Sequence, residues 1–179
     1  MSSRFTIFFF ILFSVNTFSQ GLMEEKDLPT RQDSLRGSIT PEREWWDLTY
    51  YHLDIKVNPD KKYISGSNTV GYKVLKSNKT MQIDLQEPMK ISSVTSKGKK
   101  LKFSREGNAY FIQLKKKQKK NDVNYLKINY EGFPKEAIRA PWDGGLSWAK
   151  DDNGNHFIAT SCQGLGAVSY THLTLPTIV

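Results

Sequence analysis

Two short stretches near the C-terminus carry the side chains best suited to chemistry. Residues 142–148 (WDGGLSW) combine an aspartate and two adjacent glycines with two tryptophans, and residues 160–166 (TSCQGLG) place a cysteine and a glutamine before two glycines. Glycines let a ligand approach the backbone closely, and tryptophan rings form rigid walls. Carboxylate or amide oxygens beside such walls would suit a small cationic ligand. The alternative is a packed hairpin without a ligand.

Other chemically active groups are poorly placed for catalysis. The chain contains three histidines, His52, His156 and His172. None lies in a His-Glu-x-x-His motif, whose helical spacing places two imidazoles on one zinc ion. The only cysteine, Cys162, cannot form an intrachain disulfide and has no marked partner base, so we interpret it as buried and inert. We therefore predict no catalytic residue and no metal site in this chain.

The elements that would position these groups are β-strands. Between residues 49 and 131, apolar and polar side chains alternate with a period of two, which is typical of strands with one buried face. The alternating runs are residues 51–57, 64–75, 81–85, 91–95, 101–103, 110–114 and 126–130. Residues 51–57 are predicted to be half-buried. Asn153-Gly154 is a strong turn signal that would pair residues 146–150 with 156–160. The pattern predicts an all-β fold, an antiparallel β-sandwich.

The first residues indicate export. Arg4 precedes an apolar run at residues 5–15, and small residues stand before a possible cleavage site at Gln20. This pattern predicts a signal peptide over residues 1–19 and a periplasmic or extracellular destination. The run is too short to span a bilayer, so no membrane span would remain after cleavage. The alternative is an uncleaved N-terminal anchor.

The remaining chain divides into three parts. Residues 20–44 are polar and aperiodic, and we interpret them as a linker with a short helical turn at Thr40-Pro41. The β domain is expected at residues 45–167. Residues 168–179 (VSYTHLTLPTIV) resemble translated adapter or assembly sequence and contain no charged side chain. We interpret them as a non-native tail on a truncated reading frame; the alternative is a genuine C-terminal strand.

Positive charge is concentrated in two clusters. The chain has 26 lysines and arginines against 18 aspartates and glutamates, for a net charge of +8. The clusters are Lys97, Lys99, Lys100 and Lys102, and Lys115, Lys116, Lys117, Lys119 and Lys120. Both lie at predicted turns, so we interpret them as solvated hairpin tips and edge lysines that block aggregation. We expect no nucleic-acid partner. A basic adhesion surface for polyanions is the weaker alternative.

Four segments in order resemble one enzyme family. Residues 45–55 (WWDLTYYHLDI) and 63–70 (YISGSNTV) resemble the first two strands of the gluzincin zinc aminopeptidases, typified by aminopeptidase N and the leukotriene hydrolases. Residues 141–148 and 161–167 resemble the stretch that closes their N-terminal domain. The resemblance covers roughly residues 40–167. It implies a saddle-shaped β-sandwich that packs on a zinc-binding catalytic domain.

The resemblance also implies a role for one residue. In this family a Gln or Glu after a Cys binds the free α-amine of the peptide substrate, and Gln163 follows Cys162 here. The family's Gly-x-Met-Glu-Asn and His-Glu-x-x-His motifs are absent from this sequence. The implied function is therefore that of an N-terminal domain fragment of an exported zinc metalloaminopeptidase. Its partners would be the catalytic domain of the same polypeptide and the peptide N-terminus, and we predict that the fragment alone is inactive.

A different class of function remains open. The chain could be a stand-alone secreted β-sandwich module that binds peptides or glycans, with Trp142 and Trp148 as stacking platforms. That hypothesis predicts a closed surface and a stable monomer. The fragment hypothesis instead predicts an exposed apolar face where the catalytic domain docks.

Overall fold

The computed structural model of the chain describes residues 28–160. Within this range the chain forms one short helix and ten strands. They are α1 (Arg31–Gly37), β1 (Trp46–Asn58), β2 (Tyr63–Val74), β3 (Thr80–Asp84), β4 (Lys90–Ser96), β5 (Lys99–Lys100), β6 (Lys102–Glu106), β7 (Ala109–Gln113), β8 (Val123–Gly132), β9 (Leu146–Lys150) and β10 (His156–Thr160). The predictions for the signal peptide, Cys162, Gln163, His172 and the tail lie outside the described residues.

The strands form three antiparallel sheets. The larger sheet has the order β1-β2-β8-β4-β5, the smaller sheet has the order β3-β7-β6, and β9 and β10 form a separate ribbon. The predicted all-β antiparallel fold is confirmed. The predicted hairpin is also confirmed, since Lys150 pairs with His156 and Leu146 with Thr160. No helix within the described residues is long and apolar enough to cross a bilayer.

The core lies between the larger and smaller sheets. Trp45, which is 1% exposed, enters it just before β1, and its ring meets Tyr72 edge-on at 5.8 Å. Its indole nitrogen donates a hydrogen bond to the carbonyl of Thr80 at 2.6 Å, so its one polar group is satisfied. The other buried members of the cluster are Val70, Val74, Met81, Ile91, Val94, Tyr110, Ile112, Leu114, Leu126 and Ile128.

Within residues 28–160, nothing covers the half of β1 nearest the β1–β2 turn. The alternation in residues 51–57 predicted a half-buried strand, and the strand forms, but Leu53, Ile55 and Val57 are 56%, 48% and 45% exposed. The prediction of burial was wrong because alternation marks a face and does not show what covers it. The smaller sheet is built from short strands, and the core it encloses reaches β1 only as far as Tyr51.

Part of the predicted linker is packed against the domain. Helix α1 begins after Thr30, whose side chain and that of Asp33 form a capping box. Leu35 is buried, and its carbonyl accepts a hydrogen bond from Gln82 at 3.0 Å. At Thr40, where a short helical turn was predicted, the amides of Arg43 and Glu44 both donate to the carbonyl of Thr40, which forms a single turn. The Thr40 hydroxyl donates to the Gln82 side chain at 2.7 Å rather than capping a helix.

Candidate functional site

A tight loop after β8 presents apolar side chains to solvent. Asp143 Oδ2 accepts hydrogen bonds from the backbone amides of Ile138 at 2.6 Å and Arg139 at 2.9 Å. These two bonds hold the pKa of Asp143 below its usual 3.8, and the bond from Arg139 contributes more than the bond from Ile138. The loop exposes Ile138 by 84% and Trp142 by 74%. The aspartate of the WDGGLSW stretch therefore ties the loop together.

The loop and the β9–β10 ribbon are joined through backbone contacts. The amide of Ala137 donates to Leu146, and the Thr160 hydroxyl donates to the carbonyl of Gly145 at 2.8 Å. Gly145 has a φ of +84°, and a Cβ there would lie 2.7 Å from the carbonyl oxygen of Lys135. This glycine therefore lets the backbone of the same chain approach closely.

Two ion pairs connect the ribbon and the loop to the β1–β2 turn. Lys62 Nζ lies 2.7 Å from Glu136 Oε2, and His156 Nε2 lies 3.2 Å from Asp60 Oδ1. The second pair carries opposite charges only when the imidazole is protonated. We call the two pairs together the clasp. The clasp thus joins the ribbon and the loop to the turn between the first two strands of the larger sheet.

A small open groove lies beneath the clasp. Its volume is about 280 Å³, and it is lined by Pro59, Asp60 and Lys62 from the turn and by Trp148, Ala149, Lys150 and His156 from the ribbon. The indole nitrogen of Trp148 is buried and has no hydrogen-bond partner among the described residues. Trp148 thus lines the groove between the ribbon and the turn, whereas Trp142 lies on the exposed loop. The two tryptophans have different environments.

An uncovered strip of apolar side chains lies on the inner face of β1. We define the apolar strip as Leu53, Ile55 and Val57, which share the face that packs into the core farther along the same sheet. Asn68 of β2 is paired with Leu53 on this face, and its buried Oδ1 has no hydrogen-bond donor among the described residues. The fragment hypothesis predicted an exposed apolar face, but the apolar alternation in the sequence did not indicate that this strip would be exposed.

Neither of the two described histidines belongs to a group of three or more possible metal ligands. His52 is on the outer face of β1, where its ring stacks on Tyr50 at 6.5 Å. His156 pairs with Asp60 in the clasp. Between residues 28 and 160, no group of three or more His, Cys, Asp or Glu side chains could hold a metal ion. The described part of the chain therefore does not fit the zinc ion that the family implies.

The lysine clusters lie at turns and a sheet edge. Lys97 begins the tight turn after β4 with a φ of 49°, and Lys99 and Lys100 form β5 at the end of the larger sheet. The lysines of the second cluster are exposed in the connection between β7 and β8. This placement fits the interpretation as hairpin tips and edge lysines.

The ribbon leads directly to the predicted recognition residue. Gln163 lies three positions after Thr160, the last described residue, and Cys162 lies two positions after it. The geometry of the Gln163 side chain is thus outside the described residues. In the strand that precedes it, the Thr160 hydroxyl donates to the carbonyl of Gly145, and His156 lies beside Asp60.

Comparison with known proteins identifies the fold in solved relatives. Leukotriene A4 hydrolase from Saccharomyces cerevisiae superposes with a TM-score of 0.55 at 16% identity, over 80% of this chain and 23% of that one. A mutant M1 zinc metallopeptidase from Deinococcus radiodurans bound to a Tyr-Ser-Ala substrate has a TM-score of 0.50 at 18% identity, over 64% of this chain and 28% of that one. The chain thus spans about a quarter of the length of these relatives.

These identities are low enough that the superpositions show the fold alone. Among curated proteins, none matches the chain. The family model described as the peptidase M1 N-terminal domain matches residues 48–171, which is more than half of the chain. The chain belongs to the peptidase M1 N-terminal domain family.

Proposed function

We propose that this chain is the N-terminal domain of an exported zinc metalloaminopeptidase that removes N-terminal residues from peptides. The observation that carries the proposal is the family match over residues 48–171, in a chain that spans only 23% to 28% of its structural relatives. The zinc ion and the catalytic groups belong to a catalytic domain in the same polypeptide. The chain by itself binds no zinc and has no activity.

The apolar strip is the surface on which that catalytic domain docks. Leu53, Ile55 and Val57 are about half exposed on a face that is otherwise core, and burying apolar area stabilises a contact by roughly 25 cal/mol per Å². The buried Oδ1 of Asn68 beside the strip lacks a donor among the described residues. A partner that brings a donor would satisfy it, and an unsatisfied buried acceptor is costly.

Gln163 binds the free α-amine of the peptide substrate. Its side-chain oxygen accepts a hydrogen bond from the ammonium group and helps to place the first peptide bond in the catalytic domain. An amide attracts the ammonium less than a carboxylate would, but it costs less to desolvate. The clasp supports this role by holding the ribbon that leads to Gln163.

The test starts from the coding sequence across codon 167, amplified independently from the source. We expect the frame to continue into Gly-x-Met-Glu-Asn and His-Glu-x-x-His. The whole polypeptide is then expressed and assayed for release of N-terminal residues. Gln163→Ala should lower kcat/KM at least tenfold for peptides with a free amine, and acetylated peptides should not be cleaved.

The matched control is Gln113→Ala, which alters an exposed glutamine on β7 of the smaller sheet. It should leave kcat/KM unchanged. A frame that stops after codon 179 would reject the proposal. Normal activity of the Gln163→Ala variant would reject only the amine-binding role.

Export is tested separately. We propose that residues 1–19 are removed, so the mature protein in a periplasmic or extracellular fraction should begin at Gln20. The run at residues 5–15 supports this cleavage. Recovery of the protein with Met1 intact and attached to membranes would support the uncleaved anchor instead.

The second candidate is a stand-alone module that binds peptides or glycans. One observation favours it: Trp142 is 74% exposed on a loop held by Asp143, as a stacking platform would be. If the frame ends after codon 179, the 179-residue chain should bind peptides or oligosaccharides, with quenching of tryptophan fluorescence. Trp142→Ala should remove most of that quenching, and no binding to either ligand class would reject this candidate.

A further inference from the structure

The free edge of β1 is long, extended and unpaired within the described residues. β1 is the terminal strand of the larger sheet, and among the described strands only β2 pairs with it. All residues from His52 to Asn58 are exposed. No hydrogen bond from another described residue reaches the backbone on the far side of this stretch. Such an edge is a template for another strand.

The side chains along this edge are complementary to themselves. Asp54 and Lys56 lie on the outer face, and neither has an ion-pair partner among the described residues. Leu53, Ile55 and Val57 lie on the inner face. The exposed stretch is centred on Ile55, with its two unpaired charges of opposite sign on either side.

We propose that two copies of this chain pair through their β1 edges in antiparallel orientation, with Ile55 opposite Ile55. In this register Asp54 of each copy lies opposite Lys56 of the other, so two ion pairs form across the two-fold axis. Leu53 of each copy lies opposite Val57 of the other. The result is one continuous sheet through both copies, with an isologous interface.

The neighbouring registers are disfavoured by charge and by the pleat. A centre at Asp54 would place two aspartates opposite each other, and a centre at Lys56 would place two lysines opposite each other, which is destabilising. A centre between two residues would put inner-face side chains opposite outer-face ones, which the pleat forbids. The register centred on Ile55 avoids both problems.

The dimer is expected to be weak and concentration-dependent. Pairing of His52–Asn58 with itself engages only a short stretch of each copy, which is an interface at the small end of specific contacts. The dimer proposal is independent of the aminopeptidase proposal, because it concerns the 179-residue chain alone and uses the edge of β1. Failure of one proposal leaves the other intact.

The first test is sedimentation velocity of the 179-residue chain over a concentration series. We expect a monomer–dimer equilibrium. Asp54→Lys and Lys56→Asp should each weaken the dimer at least tenfold, because each places like charges opposite each other. The double variant Asp54→Lys with Lys56→Asp should restore the wild-type dissociation constant, since the pairs re-form with their signs exchanged.

The control is Lys127→Asp, on the interior strand β8, which should not change the equilibrium. Circular dichroism of each variant checks the fold. A wild-type chain that stays monomeric throughout the series overturns the proposal. Single variants that dimerise as strongly as the wild type also overturn it.

The second test reads the register directly. With Cys162→Ser in the background, Ile55→Cys should form an intermolecular disulfide under a mild oxidant, because opposite residues lie within about 5.5 Å between Cα atoms. Leu53→Cys should cross-link far more slowly, since each copy's residue 53 lies four positions, or roughly 13 Å, along the partner strand. Equal rates at the two positions would overturn the register.

Discussion

The carbonyl oxygen of Asp54 on β1 lies 2.0 Å from the position that a Cβ at Gly66 on β2 would occupy. The two strands can therefore keep their register only with glycine at this position. All three of the nearest atoms belong to the backbone of β1, so no flexible side chain can move away to make room.

Gly66→Ala should consequently destabilise the domain, by about 1–3 kcal/mol as for other overpacked sites. The measurement is the free energy of unfolding from urea titration. Gly37→Ala is the matched control, because a Cβ at Gly37 would meet nothing within 4 Å. Equal stability of the two variants would show that β1 and β2 can separate without cost.

The clasp should control the ribbon without contributing much to global stability. Lys62→Ala removes the ion pair with Glu136, and an exposed pair of this kind contributes less than about 1 kcal/mol. We expect faster amide hydrogen exchange in β9 and β10, since the loop to which these strands are bonded loses its ion pair with the β1–β2 turn, with little change in the unfolding midpoint. Lys61→Ala, next to it in the same turn and without an ion pair among the described residues, should leave exchange in the ribbon unchanged.

Acid should loosen the loop that carries Trp142. The folded-state pKa of Asp143 is below its usual 3.8, mainly because the amides of Arg139 and Ile138 donate to its ionised form. Its contribution to stability is therefore complete above the unfolded-state pKa and is lost as the pH falls through the lowered folded-state pKa. Tryptophan fluorescence should report a transition in that range. Asp143→Asn should remove the transition, and an unchanged transition would assign it to another carboxyl.

Alkali should destabilise the core through Tyr72. Burial raises the pKa of Tyr72 from 10.0 to about 12, so the folded state favours the neutral phenol. The contribution of Tyr72 to the free energy of unfolding is complete below pH 10. It is lost as the pH rises from 10 toward 12, and the total loss is roughly 2–3 kcal/mol. Tyr72→Phe keeps the ring against Trp45 and should flatten this pH dependence. The free energy of unfolding from pH 9 to 12 measures it, and an equally steep loss in the variant would contradict the assignment.

Local sequence patterns predicted the strands well, because side-chain alternation and turn residues are properties of neighbouring positions. Alternation identified the strand that became β1, and Asn153-Gly154 located the β9–β10 hairpin. Helix α1 was not predicted, because a seven-residue helix carries too little periodicity to stand out in a polar segment. Its capping residues Thr30 and Asp33 were the available signal. The sequence analysis instead predicted a short helical turn at Thr40-Pro41.

The sequence alone determined the positions of most strands along the chain, the antiparallel fold class and the resemblance to aminopeptidase N-terminal domains, whereas the order of the strands within each sheet came from the structure. These depend on side-chain alternation, turn residues and motif order, which are properties of neighbouring residues. Only the tertiary structure decided that the inner face of β1 is uncovered beyond Tyr51 and that Gly145 meets Lys135. It alone placed His156 beside Asp60. Each of these contacts joins residues separated along the chain, and the packing of distant segments cannot be read from local patterns.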